Sequence, residues 1–401
     1  MIVATQGGLM PESLHLAITR PAGYGRIVPM KFGVSALHVA THAGFAKAGI
    51  SRYAIEWVAA LARHGQENAF HVFPPVDFSM PLAWVDLPRL SVHPVRRTRT
   101  YLATLGMRSS FGGYDWWLNP AYDMLARSSV PEAAVIHDLY AITHPEWFDR
   151  EHVEAAANQI ERACREARLL FANSESTRQD ILAATKRRPE DVVTIFCGPG
   201  NLGAPIDLDS LGPDAPRPHG VPEESYFLAV GTLEPRKNIP ALLAGYRAFV
   251  SSNPDAPMLA IAGGKGWEFD PIFESLKTWD LESRVRFLGY VPDEAMPALY
   301  AYSEGFIFPS LGEGFGIPLL EAMIYGTPTA CSDRGSLPEV AGDASYLFEP
   351  TSTEAIASAF GELIARSPTR SAWVARGRDQ AAKFTWDQVA DKTLRALEER
   401  S

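Results

Sequence analysis

Short apolar runs alternate with stretches in which apolar residues recur every three or four positions, and the alternation continues from Met30 to about Pro350. The first run covers residues 32–37. A helix is predicted from about Ile50, because Ile50, Tyr53, Ala54, Trp57, Val58 and Leu61 fall on one helical face. Further strands are predicted at 69–73, 90–95, 133–137, 169–172 and 192–196, and helices over 150–166 and 176–185. A second series follows, with strands at 226–230, 258–262, 285–288, 306–308, 329–331 and 346–348. Between its first two strands a helix opens near Ile239, with Pro240 in the first turn, where a missing N–H leaves no helical bond unmade. Its apolar face is Ile239, Leu242, Leu243, Tyr246, Phe249 and Val250.

Strands alternating with helices predict an α/β architecture of doubly wound parallel sheets with helices on both faces. Residues 201–224 are rich in Gly, Pro and Asp and separate two similar halves, so they are expected to link two domains, 30–200 and 225–384. The amphipathic tail, 385–401, is expected to be a helix that packs back on the first domain. Residues 1–29 are rich in Gly and Pro and lack the basic start and apolar core of a signal peptide, so a disordered extension ahead of Met30 is expected. Open α/β sheets bind ligands beyond the carboxyl ends of their strands. Two such domains would set their strand-end loops on opposite walls of one central cleft.

Charge narrows the partners. With 37 basic and 47 acidic residues the net charge is -10, which disfavours nucleic acid. The three cysteines, Cys164, Cys197 and Cys331, match no zinc or disulfide spacing, and a reducing cytoplasm is the expected setting. No apolar run reaches the roughly 18 residues of a membrane span. Within 96–111, Arg96, Arg97 and Arg99 precede Tyr101, Leu102, Leu105, Met107 and Phe111. This pattern suits a peripheral contact with an anionic inner-membrane face, and equally a helix that packs its apolar side inward.

Four segments carry candidate chemistry. Ser310-Leu311-Gly312-Glu313-Gly314-Phe315-Gly316-Ile317-Pro318-Leu319-Leu320-Glu321-Ala322 follows a predicted strand and runs into a helix. Its glycines allow close backbone approach, its helix offers unpaired N–H groups to an anion, and two carboxylates suit sugar hydroxyls. A Gly-rich turn with a solvated Glu is the plainer reading, but two Glu residues in a strand–loop–helix setting outweigh it. Val230-Gly231-Thr232-Leu233-Glu234-Pro235-Arg236-Lys237-Asn238 places adjacent cations at another strand end, where Arg supplies a fork and Lys a point charge for a pyrophosphate. Val135-Ile136-His137-Asp138-Leu139 ends a strand of the first domain, and Gly49-Ile50-Ser51-Arg52-Tyr53 opens its first helix. A lone His is more often structural than catalytic, and a helix start alone is a weak signal.

The spacing of Glu313 and Glu321 resembles the Glu-x7-Glu signature of family 4 glycosyltransferases, and residues 231–238 resemble its bacterial mannosyltransferase-like members. Asn173-Ser174-Glu175-Ser176, Arg286-Phe287-Leu288-Gly289-Tyr290-Val291-Pro292 and Leu337-Pro338-Glu339-Val340-Ala341-Gly342-Asp343 extend the resemblance over most of the chain. The resemblance implies the GT-B form: two Rossmann-like domains facing a central cleft. It implies that Glu313 contacts the transferred sugar and Glu321 the ribose. Backbone groups of Gly314, Phe315, Gly316, Ile317, Pro318 and Leu319 would meet the sugar and phosphates. Arg236 and Lys237 would bind the donor phosphates, and Thr232 stands where some relatives carry Arg. Tyr290 and Val291 would border the nucleobase, Gly49 would reach a phosphate across the cleft, and His137 would lie by the reacting bond. The expected catalytic set is thus His137, Arg236, Lys237 and Glu313.

By the same resemblance the activity is retaining hexosyl transfer without a metal or other cofactor. Mannose would pass from GDP-mannose to a glycan or lipid-linked saccharide in bacterial surface polysaccharide synthesis, such as O-antigen. Other readings are a UDP-sugar or GDP-deoxyhexose donor, a GT-B nucleotide-sugar epimerase, and a non-catalytic sugar-nucleotide sensor. The Asp207-Leu208-Asp209 triplet lies in the predicted linker, away from any strand end, and is given no metal role.

Overall fold

The computed structural model describes residues 29–37, 39, 49–65, 67–76, 78–95, 113–122, 129–150, 153–206, 217, 220–266, 270–365 and 370–401. Most of the 1–29 extension, the 96–111 segment and the Asp207-Leu208-Asp209 triplet lie outside these residues.

Two parallel sheets form, as the alternation predicts. The first holds β1 (Lys31–Ser35), β2 (Ala69–Phe73), β3 (Leu90–Val92), β4 (Trp116–Asn119), β5 (Glu132–Ile136), β6 (Leu169–Ala172) and β7 (Val192–Thr194), in the order β3-β2-β1-β4-β5-β6-β7. The second holds β8 (Tyr226–Val230), β9 (Met258–Ala262), β10 (Val285–Gly289), β11 (Gly305–Phe308), β12 (Thr329–Ser332) and β13 (Ser345–Phe348), in the order β10-β9-β8-β11-β12-β13. In both, the chain starts in the middle, winds one way and then the other. Each sheet therefore has a switch point where adjacent strand-end loops part and leave a crevice.

Among the described residues the helices are α1 (Gly49–His64), α2 (Tyr140–Thr143), α3 (Val153–Glu166), α4 (Glu175–Ala184), α5 (Ile239–Ser252), α6 (Asp270–Thr278), α7 (Met296–Ala301), α8 (Ile317–Ile324), α9 (Leu337–Ala341), α10 (Thr353–Ala365), α11 (Arg370–Ala381) and α12 (Trp386–Glu398). The face of α5 read from the sequence is buried at Ile239, Leu242, Leu243, Tyr246 and Phe249, whereas Val250 only packs at its edge.

One strand escaped the sequence reading. β4 has four residues, Trp-Trp-Leu-Asn, too few to show an alternation, yet it pairs with β1 at the centre of the first sheet. Its Trp117 ring lies across Gly33 of β1: a Cβ at Gly33 would sit 2.2 Å from a ring carbon. The strand and the glycine are thus one packing unit.

The last helix leaves the second domain and packs along α1 of the first. Trp57 Nε1 donates to Thr393 Oγ1 at 3.2 Å, Trp386 Nε1 to the Pro199 carbonyl at 2.8 Å, and Trp116 Nε1 to Ser401 Oγ at 3.0 Å. Where the chain changes lobes, the rings of Phe196, Phe315 and Phe384 meet, with centroids 5.4–6.5 Å apart. One apolar core accordingly runs through both lobes.

Candidate active site

β8 and β11 are neighbours at the switch point of the second sheet, so the loops leaving their carboxyl ends are brought together. After β8 the chain enters a short 3-10 turn, Pro235–Lys237, which ends at Asn238 in the left-handed conformation with φ 58°. Asn tolerates that conformation better than most residues. Its Nδ2 donates to the carbonyls of Pro309 at 3.1 Å and Pro350 at 2.7 Å, and the Leu311 amide donates to the Arg236 carbonyl at 2.9 Å. The basic turn is thereby fastened to the loop after β11.

Three of the expected residues touch one another there. Glu313 Oε2 accepts from Arg236 at 2.6 Å, and Oε1 accepts from Lys237 at 2.5 Å. Arg236 also donates to Glu234 at 2.8 Å and to the Gly312 carbonyl at 3.0 Å. Glu313 is buried, which alone would raise its pKa, but the charges of Arg236 and Lys237 outweigh burial and hold it at about 2. The Ser336 hydroxyl lies 2.8 Å from the carbonyls of both Glu313 and Phe315 and fixes the loop from behind. The family resemblance implies that Glu313 meets a sugar and the cations meet phosphates. The structure adds that these groups already form one ion cluster, poised at two strand tips.

The opposite wall is the tip of β5. His137 Nε2 donates to the Pro120 carbonyl at 2.9 Å, and its ring meets Tyr53 edge-on at 4.8 Å. Asp138 accepts from the Tyr140 amide at 3.0 Å. Burial raises its pKa, and Arg236 across the cleft partly offsets that. The two walls are in contact. A Cβ at Gly314 would lie 2.0 Å from the His137 carbonyl oxygen, so only glycine fits between the lobes. Gly314→Ala is therefore expected to hold the walls apart by about an ångström and to lower kcat/KM by on the order of 10²-fold. Each lobe should keep its melting temperature within a few degrees, because the strain is relieved by opening. A steady-state assay beside a thermal melt checks this; unchanged kcat/KM would mean that these walls do not need to touch.

Glu321, in α8, is buried further along the cleft. Tyr300 donates to its Oε2 at 2.9 Å, while Oε1, beside the Gly200 backbone, has no well-formed hydrogen bond. Burial pushes its pKa up to about 7, with Arg52 and Tyr300 offsetting only part of the effect. Arg52 forms an ion pair with Asp293 of the other lobe. Buried polar atoms that lack partners call for an explanation. Here they include Ser51 Oγ, the Tyr53 hydroxyl, Asn173 Oδ1, Arg236 Nε and Glu321 Oε1, carried by segments that line the seam between the lobes.

The other expected donor contacts are placed as follows. Gly314, Phe315, Gly316 and Leu319 are buried in the loop and the start of α8, with Ile317 and Pro318 partly covered. Thr232 and Tyr290 are exposed, Val291 packs against the shared core, and Gly49 opens α1 at the surface. The sequence reading assigned no role to Asp138, Arg52, Asp293, Tyr300 or Glu339. Asp138 had a signal, because it adjoins His137 at a strand tip. Arg52 and Asp293 are 241 residues apart, and nothing local marks such a pair.

A separate cavity of about 590 Å³ lies behind α2, lined by Leu139, Ile142, Cys164 and Ala184. It carries cations, but Arg187 is already committed to the carbonyls of Cys164 and Ala167, and Arg188 to Asp191.

Residues 214–380 match the family described as Glycosyl transferases group 1. The O-antigen chain mannosyltransferase B of Escherichia coli is 33% identical over 264 residues, which cover 65% of this chain and 68% of that protein. Sucrose-phosphate synthase from Thermosynechococcus elongatus superposes with a TM-score of 0.71 at 19% identity, over 93% of this chain and all of that one. HepE of Anabaena, solved in complex with UDP and glucose, superposes with a TM-score of 0.68 at 19% identity, over 92% of this chain and 99% of that one. The chain belongs to the group 1 glycosyl transferases and is a glycosyltransferase of the two-domain GT-B form.

Proposed function

We propose that the protein is a retaining, metal-independent mannosyltransferase. In this reading it takes mannose from GDP-mannose and adds it to a saccharide or lipid-linked acceptor during surface polysaccharide synthesis. The observation that carries the reading is the cluster of Arg236, Lys237 and Glu313 at the strand tips, closed against His137 and Asp138. As the bond between the anomeric carbon and the diphosphate oxygen breaks, negative charge grows on the leaving group. Preorganised cations stabilise that charge more in the transition state than in the ground state. The acceptor hydroxyl forms the new bond on the same face and gives its proton to the departing phosphate oxygen, so no enzyme carboxylate need act as nucleophile. Glu313, held ionised by two cations, accepts hydrogen bonds from sugar hydroxyls, and the His137 strand end closes the site against water. Two fixed positive charges supply the compensation that a bound metal gives in other transferases, so activity should persist in excess chelator.

Mannose is favoured over other hexoses by the E. coli relative and by the wording of residues 231–238. The test is turnover with GDP-mannose, UDP-glucose and ADP-glucose, with the product anomer read by NMR. Release of GDP with retained configuration supports the reading. Turnover of only the UDP or ADP sugar, or inversion, overturns it.

Glu321 gives a pH signature. Its pKa is raised, so the native state favours the protonated carboxyl. That contribution to stability is present at low pH and is lost as pH rises through about 7. Ribose hydroxyls donate to the ionised form, so binding of the donor should release a proton between the ordinary carboxylate range and that value. Donor affinity should rise by up to about tenfold per pH unit in this window and level off above it. The sugar nucleotide is a suitable probe because its diphosphate has no secondary ionisation there. Calorimetry in two buffers of different ionisation enthalpy reads the proton, and Glu321→Gln should abolish the release. A pH-independent affinity in the wild type would place the ribose elsewhere.

A further inference from the structure

Two turns of the sequence, 173–176 and 337–343, have no part in the chemistry above, and they meet across the cleft. Helix α4 begins at Glu175, and its first amides need acceptors. Ser174 Oγ takes the Thr177 amide at 3.0 Å. The amides of Glu175 and Ser176 are taken by Glu339 of the other lobe, through Oε2 and Oε1, each at 2.9 Å. A carboxylate on a helix N-terminus, bonded twice, is both charge-assisted and favoured by the helix dipole.

The segments tied by this contact are those that carry the reacting groups. On the α4 side, Thr177 Oγ1 donates to the His137 carbonyl at 3.1 Å and lies 3.5 Å from that of Gly314. On the α9 side, Ser336 immediately precedes the helix bearing Glu339 and holds the carbonyls of Glu313 and Phe315. Were the cleft to open, the two amides and the carboxylate would all return to water. The contact thus belongs to the closed form alone.

We propose that Glu339 is a positioning residue: it latches the closed cleft by completing the cap of α4, and so sets the spacing between His137 and Glu313 without touching donor or acceptor. This rests on the cleft being the site of transfer, but the latch itself can be tested without turnover. Small-angle scattering of the full chain with saturating GDP is compared for the wild type, Glu339→Ala and Glu339→Gln. Both variants should show a larger radius of gyration. Where a donor turns over, kcat should fall by on the order of tenfold while GDP affinity stays within about twofold.

A second pair isolates the backbone contact. Proline suits the first position of a helix, and Ser174 is already extended (φ -153°, ψ 160°), as the residue before proline requires. Glu175→Ala removes only the side chain, with its bonds to Thr194, Gln179 and Arg178. Glu175→Pro also removes the amide that faces Glu339. The proline variant should open further and lose more kcat than the alanine variant, and its extra loss should vanish in the Glu339→Ala background. Unchanged scattering in Glu339→Ala, or equal behaviour of the two Glu175 variants, would sink the latch even with the glycosyltransferase reading intact. If no sugar nucleotide turns over but the scattering shifts occur, the latch stands and the donor assignment falls.

Discussion

Arg236→Ala is expected to lower kcat by on the order of 10²–10³-fold, the usual cost of losing a preorganised charge donor at a developing anion. The loss has two sources. The leaving diphosphate forfeits a two-pronged cation, and the cleft forfeits its balance of charge. Arg236 now answers Glu313 and Glu234 and lowers the pKa of Asp138. Without it, Glu313 loses one of the two cations that hold it ionised, and its pKa should rise from its present value of about 2. Arg236→Lys keeps the charge but not the planar fork, so it should recover only part of the rate. Because the charge develops on the leaving group, kcat should suffer more than the donor KM. A variant that raised KM and kept kcat would show that Arg236 merely holds the ground state.

Removal of residues 386–401 is expected to abolish the fold of the first lobe, although the segment follows the second in sequence. Val389, Leu394 and Leu397 of α12 are buried at 5% exposure or less. Burial of such side chains stabilises by about 1.5–3 kcal/mol each, so together they approach the whole stability of an ordinary domain. Truncation also strips Trp57 of its partner Thr393 and uncovers the Tyr53 ring, which rests on Trp386. The expected result is insoluble protein, or a first lobe with no cooperative melt and fast hydrogen exchange in β1 and β4. Leu397→Ala alone should cost about 2–5 kcal/mol. A truncated chain that melted like the full one would show that α12 is dispensable cover.

Several parts of this architecture were legible from residue pattern. β2, β6, β8 and β9 begin and end where their apolar runs do, because each run is bounded by residues that cannot continue a buried strand. The meeting of Arg236, Lys237 and Glu313 followed from two strand-end loops in one domain. β4 was not legible, since four residues carry no period and its central place depends on Gly33 making room for Trp117. Contacts between lobes were the least visible. Arg52 with Asp293, Glu339 with α4, and Gly314 against His137 join segments 163 to 241 residues apart or meet backbone atoms, which leave no side-chain signature.

Among the described residues the polypeptide passes between the lobes after β7 and again between α11 and α12. These crossings run side by side: the rings of Phe196 and Phe384 are 5.5 Å apart, and Trp386 is bonded to Pro199. Two adjacent tethers behave like the leaves of a door hinge. Such a pair of tethers favours rotation over sliding, and a small rotation about the Phe196–Phe384 line is expected to become a wider opening at the far rim.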